Sequence, residues 1–77
     1  MARPDKEVAP GITVDRAVRF GKPVLKGTRV DVATVLYQLA AGVTVEEFSR
    51  EYGVTTEAVR SAIGYAAELV ALQKSLD

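Results

Sequence analysis

Three cations, Lys22, Lys26 and Arg29, fall within one eight-residue window of the run GKPVLKGTRV. Ammonium and guanidinium groups presented on tight turns recognise anions, so the window reads as a basic rim for a phosphate backbone or for an acidic partner. Turn geometry alone also accounts for Gly21, Pro23 and Gly27, because glycine supplies positive φ and proline a fixed one. The run is not a phosphate-binding P-loop. That motif places its lysine directly after the second glycine, with a helix behind it, whereas here Thr28 follows Gly27.

A second set is Thr55, Thr56, Glu57, Arg60 and Ser61. On the first turns of a helix, Arg60 is able to take a guanine edge or a phosphate, and the hydroxyls are able to take phosphate oxygens. Glu46, Glu47, Glu51 and Glu57 lie close in sequence and oppose a polyanion. Glu47 and Glu51 are four apart and share a face, the pattern of an ordinary solvated helix as much as of a carboxylate pair. The serines, Ser49, Ser61 and Ser75, have no visible base.

Composition narrows the chemistry further. With no cysteine and no histidine, thiol catalysis, Ser-His-Asp chemistry, disulfides and thiolate or imidazole metal sites are excluded. A carboxylate-only Mg²⁺ or Ca²⁺ site stays open, though no calcium-loop pattern is present. No metal, cofactor or small-molecule substrate is expected, and without a constellation for proton transfer or nucleophilic attack the chain reads as a non-enzyme. At 77 residues it has room for one small domain with a thin core. A hydrophobic fraction of 48% argues against wholesale disorder. No membrane-length apolar run and no secretory leader pattern occur, so the expectation is a cytoplasmic protein. The zero net charge conceals an asymmetry. Residues 1–29 carry seven bases against three acids, and residues 30–77 carry three bases against seven acids. The basic third is the one suited to an acidic or phosphate-bearing partner.

The elements that position these residues follow from periodicity and punctuation. Residues 1–10 are polar and proline-containing and read as a flexible arm, with residues 11–77 as the domain. Gly11 to Val14 reads as a short strand with Ile12 and Val14 on one face, and Val24–Leu25 as a second strand between turns at Gly21 and at Lys26-Gly27. Such a strand needs a partner, from the first strand, from Thr28 to Val30 or from another subunit. From Val32 the period becomes helical: Val32, Val35, Leu36, Leu39 and Ala40 share a face, Asp31 is the N-cap and Gly42 closes the helix. Thr44 with Glu47 forms a capping box for a second helix that ends near Tyr52. After Gly53, Thr55 or Thr56 caps a longer third helix.

Short helix, glycine turn and third helix are the form of a helix-turn-helix, here at about residues 45–63. Phe48, Tyr52, Val54, Val59, Ala62 and Ile63 are expected to close one hydrophobic corner against Val35 and Leu39. The fold class expected is mainly α: a three-helix helix-turn-helix (winged-helix-like) domain with short N-terminal β-strands. Helix three carries two apolar stripes, Val59-Ile63-Ala66-Val70 and Tyr65-Leu69-Leu72-Leu76. One stripe serves the core; the other is expected to be buried by a partner, most simply in a homodimer or higher oligomer, with Gly64 allowing close approach. Arg29, at the end of the rigid turn, is expected to be held by a carboxylate or by backbone carbonyls.

Gly21, Lys22, Pro23, Val24, Gly27, Thr28, Arg29 and Val30, then Gly42, then Glu46, Glu47 and Phe48, then Tyr52, then Tyr65 and Ala66 resemble the pattern of the small proteins of the domain of unknown function 433 family. The resemblance covers about residues 11–67, and Ile12 and Asp15 match as well. Members are described as antitoxin-like proteins of type II toxin–antitoxin systems, often encoded beside a PIN-like ribonuclease toxin. The resemblance therefore implies a non-catalytic partner that binds and neutralises such a toxin, with operator DNA bound through the helix-turn-helix as a second role. It supplies no catalytic residues. For Lys22, Lys26 and Arg29 it adds the acidic, metal-binding centre of a nuclease as a possible counterpart. The other reading of the same residues is a homodimeric DNA-binding transcriptional regulator without a toxin. In either case double-stranded DNA would meet Thr55, Thr56, Arg60, Ser61, Lys22 and Lys26, and the partner or dimer face would be Tyr65, Leu69, Leu72 and Leu76. Gly21, Pro23, Gly27, Arg29 and Gly53 would be structural.

Overall fold

The computed structural model describes residues 5–73 of the chain. Three short strands, β1 (Asp5–Ala9), β2 (Ile12–Asp15) and β3 (Val24–Leu25), precede three helices, α1 (Val32–Ala40), α2 (Val45–Tyr52) and α3 (Thr56–Gln73). The fold is mainly α with a small N-terminal sheet, as its periodicity indicates.

β1 is the first departure from the sequence reading, which treats residues 1–10 as an arm. It pairs antiparallel with β2, and the register breaks at Val8, between Glu7↔Thr13 and Ala9↔Ile12. Lys6, Glu7 and Val8 are all exposed. Of β1, Ala9 packs against the core while Lys6, Glu7 and Val8 do not, so no apolar alternation betrays the strand; backbone pairing and the ends of the hairpin hold it. Glu7 fastens that end: its Oε2 accepts the Gly11 N–H at 2.8 Å, and its Oε1 pairs with Lys26 Nζ at 3.2 Å. Gly11 turns the hairpin at φ +79°, and a β-carbon added there would lie 2.9 Å from Ser61 Oγ on α3. The hairpin turn thus rests directly on the third helix.

β2 is the central strand and β3 its other neighbour, with Ile12 opposite Leu25 and Thr13 opposite Val24. Of the candidate partners for Val24–Leu25, β2 provides the ladder, and Val30 also accepts the Leu25 N–H at 2.9 Å. Ile12 and Thr13 are the buried pair, while Val14 is only half-buried. Ile12 and Val14 lie two apart on β2 and share a face as expected, but burial falls off along the strand, so that only Ile12 of the two reaches the core.

Asp31 caps α1, its Oδ1 accepting the Thr34 N–H at 3.0 Å. Gly42 and Val43 donate to the carbonyls of Leu39 and Gln38, both at 3.0 Å, a Schellman closure. The Thr44–Glu47 box is complete: Glu47 N–H donates to Thr44 Oγ1 at 3.0 Å and Thr44 N–H to Glu47 Oε1 at 2.9 Å. Gly53, at φ +68°, makes the turn into α3, a conformation in which a β-carbon costs roughly 1 kcal/mol or more. Ser49 clasps the turn from both ends: its carbonyl accepts the Val54 N–H at 3.1 Å and its hydroxyl donates to the Val54 carbonyl.

One core joins all layers: Ile12 and Leu25 from the sheet, Val32 and Val35 from α1, Phe48 from α2, Val59 and Ala62 from α3. Each fully buried aliphatic or aromatic side chain here is worth roughly 1.5–3 kcal/mol of transfer free energy. Tyr52 stacks on Phe48 with ring centroids 4.1 Å apart and keeps its outer edge in water. Ile63 does not join the corner and is 38% exposed. At about 100° per residue the inward direction of α3 runs through Val59 and Ala62 and on between Tyr65 and Ala66, between the two apolar stripes rather than along either. Ile63 and Val70 consequently turn outward.

Candidate functional site

The first turns of α3 carry the residues expected to read DNA, and the fold uses several of them internally. Thr55 is the cap, its Oγ1 accepting the Ala58 N–H at 3.0 Å. Thr56 is half-buried, and Ser61 is half-buried beneath the Gly11 turn. Arg60 and Glu57 point outward, and no described residue pairs with Arg60. Across the turn, Glu47 is spent on the capping box; the Thr44 N–H holds its carboxyl below the usual carboxylate range. The outer face of the helix-turn-helix is therefore short of free cations and rich in carboxylates.

The three cations of the GKPVLKGTRV run are separated by the fold. Lys26 turns toward β1 and pairs with Glu7. Lys22 stands at the rim of a groove between α1 and α3. Arg29 is exposed beside a concavity that Asp15 and Val18 also line, and no described residue gives it a hydrogen bond or ion pair. The expectation that Arg29 is held by a carboxylate or by backbone carbonyls is corrected: among the described residues it has neither, and the carboxylate-held arginine is Arg19, with Nη2 3.2 Å from Asp31 Oδ2. Asp31 is 5% exposed. Its carboxyl lies below the ordinary range, first because of its bond to Thr34 and further because of Arg19, against the opposing effect of burial. Sequence spacing gave no hint of this pair, because the two residues, twelve apart, are brought together only once β3 is in place.

The turn that carries Arg19 has its own geometry. Arg19, Phe20 and Gly21 all have positive φ, at 52°, 59° and 84°. Backbone bonds from Val18 to Asp15, Gly21 to Val18 and Lys22 to Arg19, at 2.8 to 3.1 Å, hold this conformation. Phe20 is 93% exposed at its tip. Sequence alone assigns Phe20 no role, because the positive φ of a large aromatic shows only in the folded backbone.

The groove between α1 and α3 has a volume of about 270 Å³ and is lined chiefly by Pro23, Val32, Ala33, Leu36, Tyr65, Ala66 and Leu69, with Lys22 and Asp31 at its edge. It accounts for part of the Tyr65-Leu69-Leu72-Leu76 stripe. Tyr65 is half-buried against the core from its side, Leu69 is 44% exposed and Leu72 70% exposed, and Leu76 lies outside the described residues. Gly64 has no described atom within 4 Å of the position a β-carbon would take; it borders a concavity with Ala9, Pro10 and Ser61. Among the described residues no group of three or more carboxylates gathers as a metal site, and no helix is long and apolar enough to cross a membrane.

A family model described as "Protein of unknown function (DUF433)" matches residues 12–66. The span runs from the first residue of β2 into the middle of α3 and takes in the Arg19–Asp31 pair, the Gly53 turn and the groove residues up to Ala66. A Mycobacterium tuberculosis (strain ATCC 25618 / H37Rv) protein named "Putative antitoxin VapB45" is 38% identical over 52 residues, 68% of this chain and 22% of that protein. The crystal structure of Rv2018 from Mycobacterium tuberculosis superposes with a TM-score of 0.62 at 38% identity, over 68% of this chain and 24% of that one. The chain thus spans less than a quarter of the length of either relative. With β2, β3, α1, α2 and the first half of α3 inside the matched region, the chain belongs to the DUF433 family, proteins of unknown function.

Proposed function

We propose that the protein is an antitoxin-like, non-catalytic binding module whose partner is a PIN-like ribonuclease toxin, with the α1/α3 groove and the apolar C-terminal half of α3 as its docking face. The observation that carries this reading is the 38% identity, over 52 residues, to a protein named "Putative antitoxin VapB45". Physical chemistry supports the location. Leu69, Val70 and Leu72 expose apolar surface on the half of α3 beyond the core, next to a groove already lined by Leu36 and Tyr65. Small monomeric domains rarely leave such continuous surface uncovered. A second copy of the chain on the same face is compatible with this reading, since antitoxin dimers and toxin complexes both need apolar contact.

Operator binding through α3 is a second role. It rests on Arg60 and on the basic N-terminal third, and the carboxylates around the helix-turn-helix keep the affinity of a single domain modest. The alternative of a homodimeric regulator without a toxin uses the same surfaces. Co-purification from the native locus, with intact-mass analysis of what accompanies the protein, separates the two. A ribonuclease-sized partner released by Leu69→Glu supports the antitoxin reading; recovery of a self-associated chain alone removes it.

A further inference from the structure

We propose that the Asp15–Lys22 turn is a binding element for single-stranded nucleic acid, with Phe20 as the stacking platform for one base and Arg16, Lys22 and Arg29 as the phosphate contacts. The inference does not rest on the toxin reading and does not use the reading face of α3; it shares Lys22 with the groove rim and its cations with the basic N-terminal third.

The first observation is conformational. A phenylalanine at φ 59°, following an arginine at φ 52°, occupies a region that non-glycine residues enter at a cost, and the three backbone bonds of the turn together with the Arg19–Asp31 pair hold it there. The ring gains nothing inside the chain in return, being 93% exposed. A rigid, preorganised and uncovered aromatic loses little freedom when a flat partner lies on it.

The second is charge. Arg16 and Lys22 flank the ring in sequence, and Arg29 reaches the same region, since it lines one concavity with Asp15 and Val18. None of the three has an ion-pair partner among the described residues. Both nearby carboxylates are engaged: Asp15 Oδ1 accepts the Ala17 N–H at 2.9 Å, and Asp31 holds Thr34 and Arg19. Free cations around an exposed aromatic face are the arrangement by which proteins hold single strands, in which bases offer π-faces and phosphates recur on either side. A duplex fits less well. Its bases are already stacked, and wedging Phe20 between them needs an unstacking step that three cations offset poorly. An acidic protein surface would use the cations and leave the ring unexplained.

The test is fluorescence anisotropy of the full chain with labelled oligouridylate and oligothymidylate, at low and at physiological salt, beside a duplex of the same length. The expected result is binding of the single strands in preference to the duplex, with log K falling against log salt at a slope of about −2 for three phosphate contacts. Phe20→Ala, at a solvent position that leaves the core intact, should weaken binding on the order of 10-fold or more, Phe20→Trp should restore it, and the paired Arg16→Ala and Lys22→Ala changes should flatten the slope. Arg50→Ala, at an exposed position on α2, should leave binding unchanged. Circular dichroism of each variant establishes that the fold persists. Absence of binding up to hundreds of micromolar protein, tighter binding of the duplex, or single-strand affinity indifferent to Phe20→Ala would each overturn the proposal.

Discussion

Asp31 divides its two oxygens between two jobs: Oδ1 accepts the Thr34 N–H at 3.0 Å and caps α1, while Oδ2 meets Arg19 Nη2 at 3.2 Å and ties down the strained turn before β3. One buried carboxylate therefore couples the sheet-side loop to the helical half of the domain. Asp31→Ala should lose the cap and leave Arg19 without its anchor, costing about 1–2 kcal/mol in urea unfolding. Asp31→Asn keeps a capping oxygen and should lose less, whereas Arg19→Ala should cost under about 1 kcal/mol because Arg19 itself is 44% exposed. An equal loss for the alanine and asparagine variants would show that the cap contributes little.

Acid should destabilise the fold through three carboxylates. Glu7, Asp31 and Glu47 are each held below their usual range, mainly by hydrogen bonds from Gly11, Thr34 and Thr44 respectively. A depressed folded-state pKa contributes stability that is complete above the unfolded value, near 4 for these groups, and is lost as pH falls through the folded value. The unfolding midpoint should therefore be flat from pH 7 down to about 5 and decline below about 4. In Asp31→Asn the decline should be shallower. A midpoint already falling between pH 7 and 6 would point to a different titrating group.

Gly11→Ala tests the seat of the hairpin on α3. The new β-carbon would meet Ser61 Oγ at 2.9 Å on a backbone at φ +79°, so strain and contact both oppose it. A loss of about 1–3 kcal/mol is expected. Ser61→Gly in the same chain should recover the contact portion and not the dihedral portion. Full additivity of the two changes in denaturant melts would mean that the turn and helix do not touch in solution.

Leu69→Glu with Leu72→Glu should leave the monomeric fold near its original stability, since these side chains are 44% and 70% exposed, and should abolish any self-association. Analytical ultracentrifugation of both proteins reads the outcome. A wild-type chain that stays monomeric at tens of micromolar would remove the homodimer and leave a different protein as the cover for this face.

Much of this architecture follows from short-range rules. Asp31, Gly42, the Thr44–Glu47 box and Gly53 mark helix boundaries through local hydrogen bonds and positive φ, and all act within a few residues of themselves. The run from Gly21 to Val30 likewise shows its turns through glycine and proline. Tertiary structure alone decided which side of α3 faces inward, because two apolar stripes on one helix compete and only the positions of Ile12, Val35 and Phe48 select a line between them. It alone showed that Arg19 and not Arg29 reaches Asp31, that Lys26 belongs to Glu7, and that Ser61 sits under Gly11. Each of these is a side-chain pairing across a closed loop. Composition and spacing determined which groups were available to this chain; the meeting of sheet and helices determined which were already used and which, like Phe20, were left facing water.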